Sequence, residues 1–77
     1  MWIPKPELLA SLREEYPKGT RVELVKMDDP QAPPVGTKGT VIWVDDMASI
    51  MVRWDTGSGL SVAYGADICR KITEKET

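Results

Sequence analysis

The chain has 77 residues, 42% of them apolar, which is room for one domain with one modest core. A net charge of −2 gives no global field that favours nucleic acid or an anionic membrane. No segment approaches the ~18 unbroken apolar residues of a membrane span, and the start, Met1-Trp2-Ile3-Pro4-Lys5-Pro6-Glu7, lacks the apolar run and cleavage site of a signal peptide.

The first element is a short helix within residues 1–17. Pro4 and Pro6 suit a leader and a first helical turn, where a missing N–H costs little, and Glu7 complements the positive helix end. Leu8, Leu12 and Tyr16 recur every four residues, with Leu9 beside them, and make one apolar stripe. Pro17 restricts Tyr16 and ends the helix. So short a helix does not stand alone in water, so this one packs on the rest.

From Thr20 the rhythm changes to period two. Arg21-Val22-Glu23-Leu24-Val25-Lys26 places Val22 and Leu24 on one face and charges on the other, as a strand does. Residues 28–36, with three prolines and two aspartates, form a loop. Gly39-Thr40-Val41-Ile42-Trp43-Val44 is the second strand and Asp45-Asp46-Met47-Ala48 its turn. Residues 49–55 are the third strand, with Ile50, Val52 and Trp54 facing one way and Met51, Arg53 and Asp55 the other. Thr56-Gly57-Ser58-Gly59 is a hairpin turn. Residues 60–64 alternate again, Gly65-Ala66-Asp67 is a corner, and residues 68–72 form a short fifth strand. Residues 73–77 are polar and expected to fray.

A long first loop, three strands joined by tight turns, and a corner before a brief last strand have the layout of a five-stranded SH3-like barrel. The expectation is a mainly β fold, with a helical segment (1–17) packed on a barrel (18–72). Two stretches carry a resemblance: Gly36-Thr37-Lys38-Gly39-Thr40-Val41 with Val44-Asp45-Asp46, and Val52-Arg53-Trp54-Asp55-Thr56-Gly57. Together with Tyr16-Pro17-Lys18-Gly19-Thr20-Arg21-Val22, they resemble small SH3-like domains of the KOW kind, and most closely an uncharacterised bacterial and phage family. The resemblance spans about residues 16–72. It implies a fold and an origin in phages or other mobile elements, and it supplies no catalytic residues.

Several features resemble chemistry and read more simply as structure. Asp55-Thr56-Gly57-Ser58 matches the active-site tripeptide of aspartic proteases, but these are also the residues that a hairpin turn selects. Histidine is absent, so the commonest general base and metal ligand is missing. Cys69, the single cysteine, has no histidine to activate it and reads as partly buried; it fits a reducing, cytoplasmic compartment. The Asp28-Asp29 and Asp45-Asp46 pairs lack the spacing of a calcium loop and read as turn caps. No catalytic group, metal or cofactor is expected.

The aromatic residues are the more informative. Trp54 shares parity with Ile50 and Val52 and belongs to the core. Tyr64 follows Leu60 and Val62, with its hydroxyl at the barrel rim. Strict alternation gives the second strand apolar residues on both faces, because Trp43 shares parity with Val41 and opposes Ile42 and Val44. Either the helix covers the second face with Leu8, Leu9 and Leu12, or an exposed patch of Trp43 or Ile42 with Met47 and Met51 serves a partner. The first reading is the plainer. The proline-rich loop would add Asp29 to a polar-rimmed groove with Trp43 and Tyr64.

The leading function is a non-catalytic binding module that docks on a host protein, including as an inhibitor of a host or defence enzyme, through Trp43, Met51, Arg53, Asp29 and Tyr64. A KOW-like nucleic-acid surface is the alternative, opposed by residues 28–67, which hold six acidic and two basic side chains. A self-associating protein that captures a small ligand is the third reading. No membrane partner is expected.

Overall fold

The computed structural model describes residues 3–73. Trp2 and, beyond Thr73, the tail expected to fray lie outside the described residues. Helix α1 runs Pro6–Glu15, with proline in its first turn, Glu7 at its N-terminal end and Arg13 in its last turn. Tyr16 donates its N–H to the Leu12 carbonyl at 2.8 Å, and Pro17 follows. Leu12 is buried, and Leu8 and Leu9 pack partly against the same core.

Five antiparallel strands form one sheet: β1 Arg21–Lys26, β2 Lys38–Val44, β3 Ser49–Trp54, β4 Val62–Ala63 and β5 Ile68–Lys71. Their order is β4-β3-β2-β1-β5. The inward residues Val22, Leu24, Val41, Val44, Ile50, Val52, Trp54 and Val62 form the core with Leu12 and Ala48. Trp54 is its largest member, and its indole N–H donates to the Leu60 carbonyl at 2.8 Å.

The sheet does not close: β4 and β5 are its two ends, with no ladder between them. The expected fourth strand of residues 60–64 shrinks to Val62–Ala63 for local reasons. The Leu60 carbonyl is taken by the Trp54 indole. Past Ala63 the chain turns at once, because the Ala63 carbonyl accepts from Ala66 and Asp67 N–H and the Asp67 carboxylate accepts from Ala63 N–H.

Two bulges mark the sheet. Between Leu24 and Lys26 the β1–β5 register shifts, leaving Val25 extra. Between Val41 and Trp43 the β2–β3 register shifts: Val41 faces Val52, Trp43 faces Met51, and Ile42 is the additional residue. The second bulge corrects the strict alternation expected for this strand. Val41 and Val44 are both buried, while Ile42 and Trp43 are both exposed. The apolar stripe of the helix, Leu8, Leu9 and Leu12, therefore packs on the inner face and leaves Ile42 and Trp43 exposed, and the plainer reading, in which that stripe shields a second apolar face, does not hold.

The tight turns have clear causes. In the β2–β3 hairpin the Asp45 carboxylate accepts from Met47 N–H and Ser49 N–H, each at 2.9 Å. Ala48 sits there at φ 61 and is buried. After β3, Gly57 takes φ 97 and donates to the Trp54 carbonyl at 2.8 Å, so the tripeptide that resembles a protease motif is a hairpin turn.

Candidate functional site

The bulge in β2 builds the most distinctive surface. Trp43 is 52% exposed, Ile42 40% and Met51 37%. Trp43 and Met51 are direct cross-strand partners, and Arg53 lies two residues further along β3 on the same face, opposite Thr40. Ile42, Thr40 and Arg53 line a shallow depression of about 450 Å³ with Lys18. Met47, also exposed, sits in the hairpin turn that ends this face.

Arg13 ties the helix to the same region. Its Nε donates to the Val44 carbonyl at 3.0 Å and its terminal nitrogen to the Asp46 carboxylate at 2.9 Å. The guanidinium lies 4.8 Å from the Trp43 ring centroid. One arginine thus caps a strand carbonyl, pairs with a turn carboxylate and stacks on the exposed indole. A helical residue reaching over the indole has no sequence signal, because the contact spans 30 positions of chain.

The charges of the sheet are largely spent internally. Arg21 makes a two-pronged contact to Asp55, at 2.9 and 2.7 Å, which holds the Asp55 carboxyl below its usual range. Arg70 pairs with Glu23 at 2.9 Å. Asp45 and Asp67 cap backbone N–H groups. Among the described residues Lys18 and Arg53 have no ion-pair partner, so the depression beside the apolar patch is locally cationic in an acidic chain.

The structure brings Trp43, Met51 and Arg53 together and leaves Asp29 and Tyr64 apart from them. Asp29 accepts from Gln31 N–H at 2.8 Å and caps its own turn, and it lines neither the depression nor the cleft described next. Tyr64 belongs to a different place. It lies just past β4, half exposed, in a cleft of about 440 Å³ between β4 and β5. Cys69, Tyr16 and Glu15 share that cleft. Burial, and to a lesser degree the Glu15 charge, pushes the Cys69 thiol up to about 11, so it is a neutral and poorly nucleophilic wall. Burial, Cys69 and Glu15 also raise Tyr16. Period-two alternation places Tyr64 with the strand, whereas the early turn at Ala63 releases it.

Among the described residues no group of three His, Cys, Asp or Glu side chains is placed to hold a metal ion, and no helix is long and apolar enough to cross a membrane.

Comparison with known families matches residues 5–72 to a domain of unknown function, DUF4314. The match takes in the helix and all five strands. Comparison with curated proteins and with solved structures gives no match.

Proposed function

The chain belongs to the DUF4314 family of domains of unknown function, so its role is argued from its own surface, and we propose that it is a non-catalytic protein-binding module. The observation that carries this reading is the β2 bulge, which turns Ile42 and Trp43 outward together beside Met51. A bulge that exposes two large apolar side chains raises the cost of the free state, and a partner that covers them recovers it. Arg53 and Lys18 beside the patch select a partner surface with an apolar centre and acidic residues at its edge. The strand order, with β1 between β2 and β5, suits an SH3-like barrel left open between β4 and β5. A small adaptor or inhibitor from a phage or mobile element, acting on a host protein in the cytoplasm, fits the size of the chain and its resemblance to such domains.

The test is affinity capture from host lysate with wild type, Trp43→Ala and Arg53→Glu, reading protein and nucleic acid together. A stoichiometric protein retained by wild type and lost from both variants, with unchanged circular dichroism, supports the reading. Absence of any such protein overturns it.

One observation favours a second reading. Lys18 and Arg53 beside an exposed indole are also the elements of a phosphate-and-stacking surface. Retained nucleic acid whose binding falls steeply with salt would support that reading instead.

A further inference from the structure

The open side of the sheet carries an inference independent of the Trp43 patch. Backbone alternation determines which groups of β5 face outward. Thr20 and Leu24 bond toward β2: Val41 N–H donates to the Thr20 carbonyl at 2.9 Å, and Leu24 exchanges bonds with Thr37 and Gly36 at 2.8 Å. Arg21 bonds the other way, its carbonyl accepting from Ile72 N–H at 3.0 Å. Even-numbered residues of β1 therefore serve β2, and odd-numbered ones serve β5. Leu24 faces Cys69 and Val22 faces Lys71, so the N–H and C=O groups of Cys69 and Lys71 point away from β1. Among the described residues no strand meets them.

An unpaired strand edge is matched by an extended backbone. The neighbouring cleft selects the side chain. A residue added opposite Cys69 points to the same face as Cys69, and that face opens into the cleft between β4 and β5. The half-exposed Ile68 gives the cleft apolar surface, with Ile50 and Val62 buried in its wall; Tyr16 and Tyr64 contribute rings, and the lining holds two carboxylates, Glu15 and Asp67, and one cation, Lys26, with the Lys71 ammonium near the Tyr16 ring. The Lys71 ammonium already lies 5.8 Å from the Tyr16 ring centroid, so a cation over this ring is a contact the chain itself makes.

We propose that the free edge of β5 accepts an extended segment of a partner protein, with a lysine or arginine opposite Cys69. Its aliphatic stem covers Ile68, and its charged head lies between the tyrosine rings and Glu15. With two residues of β5 offering backbone groups, the contact is short, and its affinity is that of a transient interaction.

The experiment is an amide hydrogen-exchange and chemical-shift titration with a short blocked peptide in which valine and lysine alternate. The control peptide has glutamate in place of lysine. The expected result is slowed exchange at the Cys69 and Lys71 amides, with the glutamate peptide about tenfold weaker. Lys71→Pro removes an outward N–H at an edge position that tolerates proline, and it abolishes binding, whereas Lys71→Ala keeps it. Tyr64→Ala, at an exposed site, weakens it severalfold. Equal binding of both peptides, or unslowed Cys69 and Lys71 amides, overturns the proposal. So do shifts confined to Ile42, Trp43 and Met51. Protection of the two amides that rises with protein concentration alone assigns the edge to a second copy of the chain and also overturns it.

Discussion

Gly39 has no side chain because its neighbours occupy the space one would need. A Cβ there would fall 2.6 Å from Val52 Cγ1, 2.8 Å from Trp54 Cε3 and 2.9 Å from the Arg53 carbonyl. Two of those atoms belong to the core and one to the backbone, so none can swing aside. Gly39→Ala should lower stability by about 2–3 kcal/mol in urea denaturation. Gly59→Ala, with nothing within 4 Å, should change it by less than about 0.5 kcal/mol. The tryptophans divide in the same way. Trp54→Ala removes the largest buried side chain and should cost about 3–5 kcal/mol, whereas Trp43→Ala should cost less than about 1 kcal/mol. That difference makes Trp43→Ala a usable binding variant. Cys69 gives a pH dependence of known sign. Its thiol ionises near the ordinary 9.0 when unfolded and at about 11 when folded. The stabilising share is therefore complete below pH 9 and is lost as pH rises toward 11. Thermal melts of wild type and Cys69→Ala across that window should converge as pH rises, and parallel curves would contradict the assignment.

At the scale of the element, Arg13 is the side chain that ties the end of α1 to β2. Its ion pair with Asp46 is exposed at the carboxylate, so Asp46→Ala should cost no more than about 0.5 kcal/mol. Arg13→Ala also loses the Val44 carbonyl bond and the stacking on Trp43, and should cost about 1–2 kcal/mol in the same denaturation assay. Equal losses from the two variants would show that the ion pair carries the whole attachment. The elements themselves were legible in the sequence. Proline, the Leu8–Leu12 spacing and Pro17 mark the helix, and alternation marks β1 and β3. The candidate site was legible only in part. Trp43, Met51 and Arg53 stand out by residue type, but alternation cannot show the extra residue at Ile42, because a bulge depends on the partner strand's register. The role of Asp29 is not legible for a related reason: a loop aspartate that caps its own turn has the same sequence signature as one that faces a groove.

At the scale of the molecule, charge placement matters more than the sum. The chain is acidic overall, yet its acidic strand residues are paired with Arg21 and Arg70 or cap turns, and two cations without an ion-pair partner among the described residues, Lys18 and Arg53, lie beside the apolar patch. Net charge alone therefore misjudges what this face attracts. Binding through the patch should weaken modestly between low and physiological salt, as contacts at the edge of an apolar interface do. A steep logarithmic dependence, measured by titration calorimetry at several ionic strengths, would instead indicate phosphate contacts. The two surfaces also differ in kind. The patch on β2 and β3 offers side chains, and the β5 edge offers backbone, so the two proposed contacts would be separable modes of recognition.

The bulge at Ile42 also bears on how chain length can vary. Ile42 is the one residue inside the β2–β3 ladder without a counterpart on β3, and Val41, Trp43 and Val44 already alternate inward, outward, inward around it. Deleting Ile42 would shorten the strand by one residue without reversing the facing of any neighbour. A single-residue deletion inside a strand normally inverts everything beyond it. At this position it should leave a regular ladder, an intact core and a smaller apolar surface. Insertions and deletions between related chains should therefore gather at this point of the strand, where gaining or losing one residue alters the exposed apolar surface while preserving how the domain folds.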